Sequence, residues 1–534
     1  MPTLNWIGKE AVVNHHHQVP FHLLKDVPDL ACGEPGDGNL IVQGDNLVAL
    51  KALLPYYAGQ VKCIYIDPPY NTGNENWVYN DNVNSPIIRE WLGKTVGKEG
   101  ETLDRHDRWL CMMYPRLALL RQFLRQDGVI FVSIDDNEIH DLRYAMDDLF
   151  GEQNFIACIE WQKIYTVKNS AKYLSEMHDH LLFYAKRKDN FSRNLRPRDE
   201  GTDEDYDNPD DDERGPWISN ALQSRNFYSK GTYTIKCPGG RVIEGPSAGT
   251  YWRLAEIKFW KLDADRRVWW GKDNNGIPRI KKFLSETKSG VVPTTWWPYK
   301  FAGSNSTAKT QLRDILQGKD VFITPKPIEL IQRILEIASG PDSLVLDSFA
   351  GSGTTGHAVL DLNKQDGGNR RFILIEMEQS ICRDITAERV RRVASGYKNA
   401  KGEKIEGLGG GFRYCELGEP LFDESGKIRE AVSFADLARH VYFTETGEPL
   451  PRERVTKSPF IGECRGVGIY LLFNGILGDK SSQGGNVLTR SVLAKLPTFD
   501  GQKVIYCAGC LLGKDRLQAE RILIRQTPYE IKVS

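Results

Sequence analysis

Residues 64–73 read IYIDPPYNTG, a strand-like apolar run that ends in a carboxylate, two prolines and an aromatic ring. Pro68 and Pro69 have a fixed φ and no N–H, while Pro68 keeps its carbonyl. The Asp67 carboxylate and the Pro68 carbonyl are then two acceptors held close together. They match a group with two N–H donors, an exocyclic amine on a planar ring. Such an amine is a poor nucleophile, because its lone pair is delocalised into the ring. Hydrogen bonds from both of its protons favour a pyramidal nitrogen, and the carboxylate stabilises the positive charge that grows as this nitrogen attacks an electrophile. Tyr70 is placed to stack on the ring. A base handled this way must leave its duplex to enter a recessed pocket. Standing alone, the same four residues also read as a rigid strand exit capped by Asp67.

A second chemical signal is FAGSGTTG at 349–356, in which Gly351, Gly353 and Gly356 give GxGxxG between a predicted strand and a predicted helix. Glycines let the backbone turn tightly and lie against a ligand, and the helix start favours negative charge. Alone, the turn fits a dinucleotide, S-adenosyl-L-methionine or no ligand. Glu376 closes the run FILIE at the spacing expected of a group that receives ribose hydroxyls. Asp347, at the start of the turn, attracts an ammonium group and repels a pyrophosphate, which favours S-adenosyl-L-methionine. Its plainer role is to cap the turn.

The elements that must position these groups have a βαβ rhythm. Strands are predicted at 40–43, 61–66 and 128–135, helices around 47–57 and 138–149, and a strand pair near 155–162 and 178–185. RWLCMMYPRLALLRQFLRQ reads as a helical run interrupted by Pro115, and 71–105 as polar and irregular. The rhythm returns at 326–392, with helix KPIELIQRILEIA, strand SLVLD and strand RRFILIE. Between the two blocks the texture changes. Residues 199–213 are acidic and read as a solvated loop, and 217–300 carry seven of the twelve tryptophans among many Lys and Arg. The predicted fold is a circularly permuted Rossmann-like α/β sheet. It has an N-terminal extension (1–37), a first catalytic part (38–190), an inserted recognition domain (191–320), a second catalytic part (321–395) and a small C-terminal domain (396–534).

The order of these blocks, together with GDNLVALKAL, YIDPPYNTG, IEWQK, TPKPIELIQRIL and LDSFAGSGTTG followed by FILIEME, resembles the beta-class amino-group DNA methyltransferases. The resemblance is strongest to the modification (Mod) subunits of type III restriction-modification systems, and it covers roughly residues 38–395. It implies that Asp67, Pro68, Pro69 and Tyr70 form the catalytic turn. It implies a cofactor site of Asp45, Lys326, Asp347, Phe349, Ala350, Gly351, Ser352, Gly353 and Glu376. The aspartate-first turn looks like an adenine N6 enzyme, with cytosine N4 as the runner-up target. In this context Arg253, Lys258, Lys261, Arg266, Arg267, Lys272, Lys281 and Lys282 are expected to bind DNA. Trp161 is expected either at the flipped base or in the core. The implied partners are duplex DNA, a second copy of the chain and an ATP-dependent restriction subunit. The chain itself has no GxxxxGK[ST].

The formal net charge of -1 gives no sign of a polyanionic partner, but a basic groove offset by acidic loops remains compatible with it. The ten scattered cysteines read as ordinary thiols, including those of the Cys507–Cys510 CxxC. No apolar run approaches a membrane span or a secretory leader, so a cytoplasmic location is expected. Methyl transfer to nitrogen needs no metal, and none is expected. Two rivals stay open. One is a nicotinamide-dependent oxidoreductase on the same glycine turn, which leaves DPPY and the insert idle. The other is a non-catalytic DNA-recognition subunit.

Overall fold

The computed structural model describes residues 5–33, 38–72, 93, 105–196, 205–287, 290–318, 321–450, 458–473, 476–478 and 485–527. Most of the predicted irregular segment 71–105, and residues 199–204 of the acidic stretch, lie outside these. The chain divides into two compact units, Leu195–Pro293 and the remainder.

The larger unit is built on one ten-stranded sheet. In chain order its strands are β1 (His22–Asp26), β2 (Leu40–Gln43), β3 (Val61–Ile66), β4 (Leu124–Ile134), β5 (Phe155–Gln162), β6 (His178–Ala185), β7 (Trp296–Trp297), β8 (Leu344–Asp347), β9 (Arg371–Glu376) and β10 (Arg413–Pro420). Across the sheet they run β1-β10-β2-β9-β8-β3-β4-β6-β5-β7. The six strands from β10 to β4 are parallel, and β6 is antiparallel to both β4 and β5. The central strands read as unbroken apolar runs because both faces are covered. Alternate residues feed two cores. Leu40, Val42, Ile64, Ile66, Leu346 and Ile373 enter one, while Ile41, Cys63, Tyr65, Val345 and Phe372 enter the other.

Helix α1 (Asn46–Tyr57) follows β2, α2 (Arg105–Phe123) precedes β4 and α3 (Ile139–Phe150) follows it. Helices α4 (Ile328–Ala338) and α5 (Thr354–Asp366) flank β8, and α6 (Glu388–Ser395) comes after β9. Pro115 does not interrupt α2. Every residue from Trp109 to Leu120 is buried, and this packing holds the helix through the missing N–H.

The predicted outer boundaries differ from the observed ones. β1 and β10 are the last two strands at one end of the main sheet, and Phe422, Leu437, Val441, Ile469 and Val504 share a core with α1 and β3. The segments 1–37 and 396–534 are therefore not separate from the unit that holds the ten-stranded sheet. Residues 294–320 also belong to the larger unit, so the insert is shorter than 191–320.

The insert, by itself, packs Leu222, Ile235, Trp252, Phe259, Val268 and Trp270 into a small core. A three-stranded antiparallel sheet of Val268–Trp269, Arg279–Phe283 and Trp217–Ala221 crosses it. Trp217, Trp252 and Trp270 are thus structural. Two expected DNA contacts are corrected here. Lys281 is buried, with its ammonium bound by Asp210 and, at 2.9 Å, by Asp212. Arg267 is held by Asp265 at 2.5 Å and by both oxygens of Glu286. Part of the acidic stretch, Asp210 and Asp212, therefore neutralises Lys281 instead of being a free loop. Arg253, Lys258, Lys261, Arg266, Lys272 and Lys282 are exposed.

Candidate active site

The sheet's register brings the two sequence signals together. β3 and β8 are parallel neighbours with Val345 opposite Cys63 and Leu346 opposite Ile64, so Asp67 and Asp347 leave the sheet side by side at their carboxyl ends. β9 lies next to β8 and ends in Glu376. One small cleft of about 50 Å³ is lined by Tyr65, Asp67, Lys326, Asp347, Phe349 and Gly351, among others. It shares Phe322 with a larger cleft of about 680 Å³, lined also by Ile323, Ile381 and Arg383.

Asp67 accepts from the Lys326 ammonium at both oxygens, 2.7 and 2.6 Å, and from the Tyr70 hydroxyl at 2.9 Å. The ammonium lies 5.0 Å from the centre of the Tyr70 ring. Lys326, expected beside the cofactor, lines the cleft and is also tied to the DPPY turn. The Tyr70 hydroxyl also approaches Asp179 at 3.4 Å, and Asp179 is held by Lys163 at 2.6 Å. Pro68 is buried, and the Pro69 carbonyl accepts from the Trp109 indole at 2.7 Å. Asn71, at φ 57°, donates to the Arg105 carbonyl and to Glu138. Burial pushes the Glu138 carboxyl up to about 7.

The glycine turn is equally tied down. Gly351 and Gly353 have positive φ, and a Cβ at Gly353 would sit 3.0 Å from the Thr386 carbonyl. Glu376 accepts from the Gly351 amide at 2.9 Å and the Glu378 amide at 3.0 Å. Asp347, 2% exposed, accepts from Thr355 at 2.5 Å and the Phe349 amide at 3.0 Å. Burial pushes its carboxyl up to about 7, and the nearby Asp67 and Glu376 add to this. Ala350 donates its amide to Ile375, and Arg389 binds the Ser352 carbonyl and hydroxyl and the Thr354 hydroxyl.

Two of the expected residues have clear partners within the fold. Asp45 caps α1 through the Leu47 and Val48 amides and pairs with Arg116 at 3.0 Å, so its carboxylate already serves the fold. Trp161 is fully buried in the core under β5, and its indole donates to the Gly303 carbonyl at 3.0 Å. Of its two expected places, it takes the one in the core. Reading the sequence missed Lys163, Asp179, Trp109, Glu138, Phe322 and Thr355. Only IEWQK, at the end of β5, drew attention to the neighbourhood of Lys163.

A family model described as DNA methylase (N6_N4_Mtase) matches residues 61–388, from β3 to the start of α6. The chain belongs to this DNA methylase family. The matched span contains both Asp67 and the glycine turn. Among curated relatives, the methylase is 36% identical over 380 residues to the type III restriction-modification enzyme StyLTI Mod subunit of Salmonella typhimurium, covering 67% of this chain and 57% of that one. It is 32% identical over 421 residues to the EcoPI Mod subunit of Escherichia phage P1, covering 71% and 64%. It is 30% identical over 438 residues to the type II methyltransferase M.KpnI of Klebsiella pneumoniae, covering 76% of this chain and 98% of the relative. The methylase therefore spans about three fifths of the length of the two type III subunits and nearly all of the type II one.

Proposed function

We propose that this chain transfers a methyl group from S-adenosyl-L-methionine to the N6 amino group of an adenine flipped out of duplex DNA. The observation that carries the reading is the adjacency of Asp67 and Asp347 at neighbouring strand exits around one cleft. S-adenosyl-L-methionine, when bound, supplies an electrophilic methyl group on a cationic sulfur and carries an ammonium group. The residues present fit such a cation. Asp347 is a desolvated carboxyl whose described partners are a hydroxyl and an amide, so a cationic group beside it would favour its ionised form. Phe349, Ala350, Gly351, Ser352 and Gly353 form the turn that would hold it, with Glu376 toward ribose hydroxyls.

At the amine side, a carboxylate offers about four acceptor positions. On Asp67, Lys326 takes one on each oxygen and Tyr70 a second on Oδ1, which leaves a position on Oδ2. One N–H of the target amine fits there, and the Pro68 carbonyl is the natural acceptor for the other. Lys326 orients the carboxylate while Tyr70 is held by Asp67 and Asp179. As charge develops on the amine nitrogen, Asp67 stabilises it without moving.

The exposed cations Arg253, Lys258, Lys261, Arg266, Lys272 and Lys282 are the proposed phosphate contacts of the insert. The likeness to Mod subunits supports a restriction-modification role, with a second copy of the chain and an ATP-dependent restriction subunit as the partners. No helix among the described residues is long and apolar enough to cross a membrane.

The test is incubation with methyl-labelled cofactor and diverse duplex DNA, followed by mapping of modified bases. N6-methyladenine is expected from the parent and no methylated base from Asp67→Ala, which should still bind most of the cofactor. Equal turnover in the two proteins rejects the amine-orienting role, and N4-methylcytosine moves the target to the runner-up base.

A further inference from the structure

Residues 163–177 form a loop between β5 and β6 that the chemistry above uses only at its foot. β6 is antiparallel to β4, with His180 opposite Ile134, and β4 is parallel to β3. The loop therefore leaves the sheet at the carboxyl end of β4, the end at which Asp67 and Asp347 emerge. Its foot reaches the DPPY turn. Lys163 binds Asp179 at 2.6 Å, and the Tyr70 hydroxyl approaches Asp179 at 3.4 Å.

The loop is tied along its length. The Ile164 amide donates to the Met177 carbonyl at 3.2 Å, and the Lys168 amide to the Ser175 hydroxyl at 2.9 Å. The Ala171 amide closes a turn onto the Lys168 carbonyl at 3.0 Å, and the Tyr165 ring lies 4.9 Å from that of Tyr299. Beyond these ties, apolar side chains stand in solvent. Tyr173 is 83% exposed, Leu174 88% and Val167 66%. One exposed leucine is ordinary, but an ordered loop that holds three apolar side chains out of the surface gains free energy once another molecule covers them.

The charges indicate which molecule. From Lys163 to Ser175 there are three lysines and no acidic residue. Lys163 is engaged at the foot, whereas Lys168 and Lys172 are exposed, and the Lys172 ammonium lies 5.0 Å from the centre of the Tyr173 ring. Cations beside an apolar wedge match a nucleic-acid duplex, which carries phosphates outside and stacked rings within. A nucleotide that swings out leaves a hole in that stack, and an apolar side chain that fills it offsets part of the unstacking cost.

We propose that Tyr173 and Leu174 enter the duplex and fill the space left by the flipped nucleotide, while Lys168 and Lys172 contact the flanking phosphates. The inference rests on the base-flipping reading above. Asp179 joins the foot of this wedge to Tyr70, so the element that holds the duplex open and the turn that receives the base share one frame. Tyr173 and Leu174 are positioning residues, acting on the duplex and not on the reacting atoms.

The experiment uses the full chain, S-adenosyl-L-methionine and duplexes carrying the mapped target, either fully paired or lacking the base opposite the target. In single turnover, Tyr173→Ala/Leu174→Ala should methylate the paired duplex roughly tenfold more slowly than the parent. The gap should largely close on the duplex with the missing base, where extrusion costs less. 2-Aminopurine at the target position should brighten when the parent binds and brighten less with the variant. Lys168→Ala/Lys172→Ala should lower the slope of log affinity against log salt by about two. Circular dichroism checks folding, and Leu174→Ala alone decides the matter if the double variant does not fold. Parental rates on the paired duplex, or an equal loss on both duplexes, overturn the wedge alone. A parent that methylates neither duplex overturns the base-flipping reading with it. A change in the mass of the chain in solution with rates unaltered assigns the tip to a second copy and overturns the wedge as well.

Discussion

Replacing Asp347 with asparagine separates the energetic penalty of the buried carboxyl from its use. The side chain is 2% exposed, and burial, reinforced by Asp67 and Glu376, moves its pKa from 3.8 to about 7. A raised carboxyl pKa means that the folded chain holds the proton more tightly than the unfolded chain. The resulting stabilisation is complete below about pH 3.8 and is lost as pH rises to about 7. At ~1.4 kcal/mol per pH unit, the loss accumulated across that window has a ceiling of ~4 kcal/mol and is constant above it. Asparagine keeps the shape and an acceptor for the Phe349 amide, while its NH₂ can donate to the Thr355 hydroxyl. The ligand-free variant should therefore melt above the parent at pH 8, with the gap shrinking toward pH 5. Cofactor affinity should behave in the opposite way. In the parent it rises with pH up to about 7, as the carboxylate forms, and in Asp347→Asn it is weak and flat. Thermal melts across that range at fixed ionic strength, with and without S-adenosyl-L-methionine, measure both. A gap independent of pH, or a variant with parental affinity, refutes the account of Asp347 as a desolvated cation receptor.

Alanine at Arg253, Lys258, Lys261, Arg266, Lys272 or Lys282 should weaken DNA association and lower the slope of log affinity against log salt by roughly one for each phosphate that is no longer neutralised. Lys281→Ala should instead destabilise the insert, because it leaves Asp210 and Asp212 without their cation, and a loss of thermal stability with an unchanged salt slope would confirm that assignment. Trp161→Phe should cost on the order of 1–3 kcal/mol of stability through the Gly303 carbonyl left unpaired and the smaller ring, with methylated-base specificity unchanged. An altered target base in that variant would return Trp161 to the base pocket.

The central sheet was legible because its strands are buried on both faces. β2 and β3 run where the apolar residues run, and each ends at or just before the first polar residue after that run. The edges were not. β1 is half-buried to exposed and β10 is mixed, so neither presents the pattern that identifies an interior strand, and the segments holding them looked like an extension and a tail. The same asymmetry governs the insert, where Arg-Arg and Lys-Lys pairs read as a uniform basic surface. Only the fold reveals that Lys281 and Arg267 are neutralised internally while their neighbours remain exposed.

The site divides along a related line. Asp67, Asp347 and Glu376 were found because each ends a strand, and strand ends are marked in the sequence. Lys326 was found beside the glycine turn, but its bond to Asp67 was not, since it lies near that turn in sequence and far from DPPY. The strand order corrects this. β8 is inserted beside β3, so the chain leading into α4 comes to the carboxyl end of β3, and Lys326 reaches across to Asp67. The permuted order of the blocks is thus more than a family label. It is what makes one cation common to the DPPY turn and the cleft beside the glycine turn. Lys163 shows the converse. Its partner Asp179 is cross-strand to Trp161 on β6, a relation fixed by antiparallel pairing that no local motif encodes.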